Sequence, residues 1–421
     1  MAATLIILVL GFLAIGMPVA FALWLTGLIT VVLFGVTSFT QIAQSIYSGL
    51  DSFILLAIPF FILAGNIMLH SGFARYLFDF MQSLVGGIPG GASVGASGSA
   101  AVFGAMTGSS VASAAALGRV MIPVMETLGY PRKYTAGLMA AGGTLGLLIP
   151  PSVTLVIYGE MAQQSVRDLF IAGVVPGICA ASVISLVGFA IAIRKRYGIS
   201  SEAFSFQRVR KSFVKAAPAL VMPVVVLGGI YSGVFTPTEA AAASVVYGLA
   251  VGMLVYRSIK VSDLPRIFVE SARGTSSVLF ILSGALFVGF LATLAGIPQS
   301  IVHAIEVLDL SPLAFLAITS IVLIILGCFL DGFTLLTVVA PLLLPSVVSL
   351  GINPIHFAIV LVLNIEIAAI TPPIGLNLFV IAGISGTTMQ EVVVGSTPFV
   401  LALFAVLVIV MLFPTLSLIL I

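Results

Sequence analysis

Apolar runs of about 18 or more residues recur along this whole chain, and a run of that length is what a helix needs to cross a bilayer. The recurrence leaves few ways to fold. In hydrocarbon every backbone N–H and C=O must be satisfied within the protein, so the runs must be helices packed on one another. Composition agrees: of 421 residues 61% are hydrophobic and only 7% charged, with mean hydropathy +1.30. An ordinary soluble domain is about 25% charged. A water-soluble enzyme is excluded, and the chain is predicted to be an all-α polytopic membrane protein.

Other classes fall away quickly. Net charge is +2 with no polybasic tail, which disfavours nucleic acid as a partner. Cys179 and Cys328 both lie in apolar runs and read as inert buried thiols. His70, His303 and His356 are far apart, and no HExxH, P-loop or GxSxG pattern is present. Nothing points to hydrolysis, ATP use or a bound cofactor. Residues 1–18 lack a basic n-region and a small-residue cleavage site, so they are predicted to be a first span rather than a signal peptide.

Charge placement orients the chain. Seven of the sixteen basic residues fall between Arg194 and Lys215, and four more between Arg257 and Arg273. Cytoplasmic loops carry excess Lys and Arg, so both stretches are assigned inside. Counting spans outward from them also puts Arg75, Arg132 and Lys133 inside, Arg167 outside and the N-terminus in the periplasm.

Residues 92–128 are rich in Gly, Ser and Ala, are interrupted at Thr107–Ser110, and are about twice too long for one span. A re-entrant hairpin fits, since irregular backbone at membrane depth is tolerated when buried in protein. The alternative is a pair of closely packed small-residue helices.

A 222-residue shift then places Pro123 on Pro345, Pro150-Pro151 on Pro372-Pro373, and Pro176 on Pro398. The chain is read as two repeats, 1–195 and 212–421, joined by a basic cytoplasmic connector at 196–211. Each repeat carries a hairpin (92–128 and 313–350) and a Pro-Pro-broken helix (134–163 and 356–382). The charge assignment gives the two halves opposite orientation. Inverted repeats with broken helices at the midplane are the plan of secondary transporters.

The breaks carry the candidate chemistry. Proline lacks an N–H donor, so each pair frees carbonyls that can coordinate a cation such as sodium, while half-helix N-termini suit an anionic substrate. Sodium is expected where each hairpin tip meets its own half's break. The first such site comprises Gly108, Ser109 and Ser110 with Thr144, Gly146 and Pro150; the second comprises Asp331 and Gly332 with Thr371 and Pro372. Thr107, Ser152, Thr334, Asn364 and Asn377 are candidate substrate contacts. The competing reading of the hydroxyls is helix packing and back-bonding. Asp331 is the sharpest candidate, because an acid at membrane depth is costly and functional by default; it competes with a helix-capping role. Glu366 serves either function or local structure, and Arg119 either a substrate carboxylate or the interface.

These residues resemble the large membrane subunit of TRAP (tripartite ATP-independent periplasmic) transporters along nearly the whole chain. The markers are PFFILAGNIM (59–68), GSSVASAAALG (108–118), GTLGLLIPPSV (143–153), GVFTPTEAAAASVVYGL (233–249), PLLLP (341–345) and NIEIAAITPPIGLNLFV (364–380). The resemblance implies a bacterial inner-membrane permease with an elevator-type transport domain that imports an organic acid, a C4-dicarboxylate, sialic acid or similar, with sodium. It also implies a periplasmic substrate-binding protein and a small four-helix membrane subunit, here expected as a separate chain. The rivals are a stand-alone sodium- or proton-coupled anion permease or antiporter, and an intramembrane enzyme. The antiporter would want more paired midplane acids, and the enzyme a second catalytic group that is not visible.

Overall fold

The structure, a computed structural model, describes residues 1–85, 87–198 and 204–421, so part of the expected connector at 196–211 lies outside the described residues. Among them the regular structure is entirely helical. The first part comprises α1 (Ala2–Ala14), α2 (Val19–Phe34), α3 (Phe39–Leu50), α4 (Ala57–His70), α5 (Phe73–Leu84), α6 (Gly91–Thr107), α7 (Ser110–Thr127), α8 (Arg132–Leu148), α9 (Val153–Met161) and α10 (Val166–Lys195). The second comprises α11 (Phe206–Tyr231), α12 (Pro237–Ala250), α13 (Leu264–Leu294), α14 (Ile297–Val307), α15 (Pro312–Gly327), α16 (Gly332–Ser349), α17 (Pro354–Ala369), α18 (Leu376–Ser385), α19 (Met389–Leu412) and α20 (Thr415–Leu418). Among the described residues seven helices, counting 132–161 as one, are long and apolar enough to cross a membrane, or eight with the bent pair α3–α4.

Helix boundaries repeat at the spacing of the prolines. Helices starting at 91, 110, 132, 153 and 166 have counterparts starting at 312, 332, 354, 376 and 389. Residues 92–128 thus fall on α6–α7 and 313–350 on α15–α16, each a helix–break–helix unit. Both Pro-Pro pairs interrupt a helix, between α8 and α9 and between α17 and α18, and both Pro-Pro peptide bonds are cis.

Residues 1–18 depart from the expected single span. The helix there has 13 residues, about 20 Å at 1.5 Å per residue, and is too short alone for a hydrocarbon core of about 30 Å. Gly16 takes a left-handed φ of 79° and Pro18 lacks a donor, so the chain turns into α2 instead of continuing.

Burial separates inner from outer helices. The most apolar window of 132–161 is 94% buried within the protein, against 28% for Phe206–Tyr231. The α8 helix is therefore the centre of the fold, packed by α6, α7 and α19, while α11 presents most of its surface outward. Small residues make that centre possible. A methyl group on Gly137 would lie 2.0 Å from the carbonyl carbon of Gly395, so α8 and α19 touch backbone to backbone. With no hydrophobic drive between helices in lipid, such contact is what holds them.

Other motifs serve local structure. In the FTPTEAAA string Thr236 and Glu239 form a capping box at the start of α12: the Thr236 Oγ1 accepts from the Glu239 N–H at 3.2 Å, and Glu239 Oε2 accepts from the Thr236 N–H at 2.8 Å. Pro237 fills the first helical turn, where no intrahelical donor is needed.

Gly137→Ala tests the central crossing. In an exposed helix interior the change would stabilise by about 1 kcal/mol; here it should destabilise. The yield of monodisperse protein and its melting temperature in detergent should both fall. Unchanged values would mean that α8 and α19 separate easily.

Candidate functional site

Each hairpin tip is a place where one helix ends and the next begins within a few residues. At the first tip Gly108 closes α6 with φ +60°, and Ser109 turns extended and caps α7 by accepting from the Ala112 N–H at 3.4 Å. The tip is pressed against the first Pro-Pro segment. A methyl on Gly108 would lie 2.9 Å from the Pro151 carbonyl oxygen, and one on Gly146 would lie 3.2 Å from the Ser109 oxygen. A methyl on Gly104 would lie 2.8 Å from the Gly146 nitrogen. Glycine is required at this approach because any Cβ would part the tip from the break.

The break itself follows from proline chemistry. Residues 150 and 151 would donate to the carbonyls of Gly146 and Leu147 in a continuous helix, and neither has an N–H. Leu147 recovers a partner, because Ser152 Oγ donates to its oxygen at 2.5 Å. Gly146 has no such helical donor. Ser152 also caps α9, accepting from the Leu155 N–H at 3.4 Å.

The second tip uses the same positions with different chemistry. Asp331, 222 residues after Ser109, caps α16: its Oδ1 accepts from the Phe333 and Thr334 N–H groups at 3.0 and 3.1 Å, and its Oδ2 accepts from Thr334 Oγ1. The Ile374 N–H donates to the Cys328 oxygen at 3.2 Å, tying the second break to the second tip. A cavity of about 200 Å³ lies between them, lined by Asp331, Gly332, Ala368 and Gly375 among others. Pro150, Pro151 and Ser152 are buried, whereas Pro372, Pro373 and Ile374 are exposed.

Several hydrogen bonds join the halves, and two of them come from one residue beside the second break. Asn377 Nδ2 donates to Ser110 Oγ at 2.6 Å and to the Ala140 oxygen at 3.1 Å, with all three groups buried or nearly so. The second break therefore reaches the first tip and the centre of α8.

Several candidates are occupied locally. Thr107 Oγ1 and Ser113 Oγ are 2.5 Å apart. Thr144 Oγ1 donates to the Ala141 oxygen at 2.8 Å, and Thr371 Oγ1 to the Ile367 oxygen at 2.6 Å. Asn364 points toward α15, donating to Ser320 Oγ at 3.0 Å and the Val360 oxygen at 2.8 Å, and does not join the second break. Ser113 and Gly104 were not singled out in the sequence, although both lie in the small-residue stretch that marked the hairpin. Glu366, opposite Thr144 in the 222-residue register, is fully buried, and neither carboxyl oxygen has a hydrogen-bond partner among the described residues. Those residues hold no cluster of His, Cys, Asp and Glu suited to a metal ion.

Two helix–break–helix tips, each seated on a Pro-Pro-broken helix in an all-helical membrane chain, define a polytopic membrane transporter. Comparison with known proteins gives its family. The family model for the DctM component of tripartite ATP-independent periplasmic transporters matches residues 6–416, and the chain belongs to that family of large permease subunits. It is similar to the C4-dicarboxylate TRAP transporter large permease protein DctM of Pseudomonas aeruginosa, at 39% identity over 94% of this chain and 93% of that protein. It is also similar to the sialic acid TRAP transporter large permease protein SiaM of Vibrio cholerae, at 34% identity over 98% and 96%. These relatives are transport permeases, not enzymes. Among solved structures the YdaH transporter of Alcanivorax borkumensis shares the fold, with TM-score 0.65 over 89% of this chain and 88% of that one at 12% identity.

The Ser110–Asn377 bond can be tested by a double-mutant cycle. Ser110→Ala and Asn377→Ala should each destabilise, and the double variant should lose less than their sum, with a coupling on the order of 1 kcal/mol. Thermal unfolding in detergent measures it. Strictly additive losses would show that the pair does not act as a unit.

Proposed function

We propose that this chain is the large permease subunit of a sodium-coupled importer of a small organic acid in a bacterial inner membrane. The observation that carries the reading is the repetition of one device: in both halves a hairpin tip rests on a Pro-Pro-broken helix, 222 residues apart, in a chain of the DctM family. Sodium fits the oxygens this device supplies, namely the Gly146 carbonyl, which lacks a helical donor, beside Ser109 in one half and the Asp331 carboxylate in the other. The substrate's carboxylate fits the N-terminal end of α7, which is positively polarised and capped by the neutral Ser109, whereas that of α16 is already taken by Asp331. Candidate acids are C4-dicarboxylates, sialic acid and similar compounds, the classes carried by the relatives.

The two repeats, 1–195 and 212–421, form inverted halves with the N-terminus in the periplasm, and the hairpins enter from opposite faces. They move as an elevator domain carrying ion and substrate together. The partners are a small four-helix membrane subunit and a periplasmic binding protein that delivers the acid; the bilayer is the third. Sodium is the coupling ion, and no cofactor takes part. Sodium ordering the tips would raise substrate affinity, and substrate would raise sodium affinity by the same factor.

The test is initial uptake against sodium concentration in proteoliposomes holding the small subunit, with binding protein added. Asp331→Ala should raise the half-saturating sodium concentration about tenfold or more, and Ser109→Ala less. An unchanged sodium dependence for Asp331→Ala removes it from the site. Full uptake by this chain alone, without either partner, removes the tripartite reading.

A further inference from the structure

Glu366 stands in the last turn of α17, fully buried, and neither carboxyl oxygen has a hydrogen-bond partner among the described residues. The first half shows that the fold does not require an acid at this place. Thr144, its counterpart 222 residues earlier, satisfies itself, with its Oγ1 donating to the Ala141 oxygen at 2.8 Å. The position also opposes negative charge, because the C-terminal end of a helix is negatively polarised. Asp331 makes the contrast: it caps the start of α16 and accepts three hydrogen bonds.

No cation compensates Glu366 among the described residues. The helices packed on α17 are chiefly α8, α10, α15, α16 and α19, with smaller contacts from α9, α18 and α20. Of these, α15, α16, α18 and α20 contain no titratable residue. Arg132 and Lys133 open α8, Arg167 and Asp168 open α10, and Arg194 and Lys195 close it. Glu160 lies near the end of α9 and Glu391 opens α19. None of these charges acts on Glu366, which feels burial alone. His356 lies ten residues back on α17, about 15 Å at 1.5 Å per residue, with its Nδ1 3.2 Å from Ser417 Oγ. The Tyr134 and Tyr158 hydroxyls donate to the Gly188 and Pro354 oxygens, and the thiols Cys179 and Cys328 bring no positive charge.

A carboxylate buried without donor or cation is a costly state that the group leaves by neutralising itself. A proton does this at one oxygen. Sodium needs a shell of oxygens, and the polar side chains nearest along α17 are turned elsewhere, Asn364 to Ser320 and Thr371 to the Ile367 oxygen. We propose that Glu366 is a proton-binding site: its carboxylate takes a proton from water before the protein closes around it, and returns that proton when the second break opens. The route is short. Ile365 and Ala369, the residue before Glu366 and the one three after it, line the cavity of about 200 Å³ at the second break, and residues three apart are neighbours on a helix surface. Binding of the proton stands on the burial and the missing partners; its part in uptake rests on the reading proposed above.

Infrared spectroscopy reads the proton directly, through the carboxyl carbonyl band that an ionised carboxylate lacks. The full chain, purified in its membrane complex, is measured at neutral pH, where an ordinary carboxyl is ionised, and in saturating sodium, where an ion ligand would be ionised too. The wild type should show the band and Glu366→Gln should lose it. A wild type without the band overturns the proposal and needs no variant to fold; a band that Glu366→Gln leaves intact overturns it as well. The second arm is uptake in proteoliposomes with both partners at saturating sodium. From neutral to alkaline pH wild-type uptake should fall, approaching about tenfold per pH unit once the group is ionised. Glu366→Gln, uncharged throughout, should give a flat profile relative to its own maximum, and profiles that coincide overturn the proton's part in uptake. Wild-type uptake absent at every pH would fail the importer reading instead, with the infrared result still deciding whether Glu366 holds a proton.

Discussion

A carbonyl inside a membrane needs a donor, and this fold is arranged around the few carbonyls that lack a helical one. Prolines at 150, 151, 372 and 373 remove four N–H groups from two otherwise apolar helices. Lipid cannot replace them, so the breaks persist only where protein or a water-filled cavity surrounds them. That requirement brings the hairpin tips onto the breaks. It also explains the glycine content of the centre, since Gly104, Gly108 and Gly146 let tip and break meet at backbone distance. Ser152 illustrates the local answer, turning its hydroxyl onto the Leu147 oxygen.

The halves share geometry and differ in chemistry. Ser109 and Asp331 cap equivalent helices; Thr144 stands opposite Glu366, and Ser152 opposite Ile374. Pro150 and Pro151 at the first break are buried, while Pro372 and Pro373 at the second are exposed. The two breaks thus differ in exposure although Ser109 and Asp331 at the two tips are both half-buried.

Much of this was legible in the sequence because proline and glycine act through the backbone. Their positions mark breaks whatever the neighbours, so the interruptions at 107–110, 149–152 and 371–374 could be read from spacing. Side-chain direction could not. Thr144 and Asn364 were plausible ligands by position, yet one bonds back to its own helix and the other faces α15. Ser113 entered through a tertiary contact with Thr107 that no periodicity encodes. The FTPTEAAA string marked the family, but its Thr236 and Glu239 cap a helix, a role visible only once the helix start was fixed. Residues 1–18 have the composition of a span, but composition reports hydrophobicity without reporting where a helix turns.

Capping and cation binding at Asp331 are compatible. An ionised carboxylate offers about four lone-pair positions, and the cap uses three, two on Oδ1 and one on Oδ2. The cap also orients the group, because the helix N-terminus holds the carboxylate at the tip instead of leaving it to rotate. A carboxylate held by two N–H groups is partly compensated before any ion arrives. Sodium arriving at the remaining position would meet a reduced charge, so its affinity would be moderate rather than extreme. Moderate affinity is what a carrier needs, since the ion must leave on the other side. Ser109, neutral at the equivalent position, supplies no such charge. On the proposed reading the two halves would therefore hold sodium with different strengths, the second relying on Asp331 and the first on carbonyls and the neutral Ser109 hydroxyl.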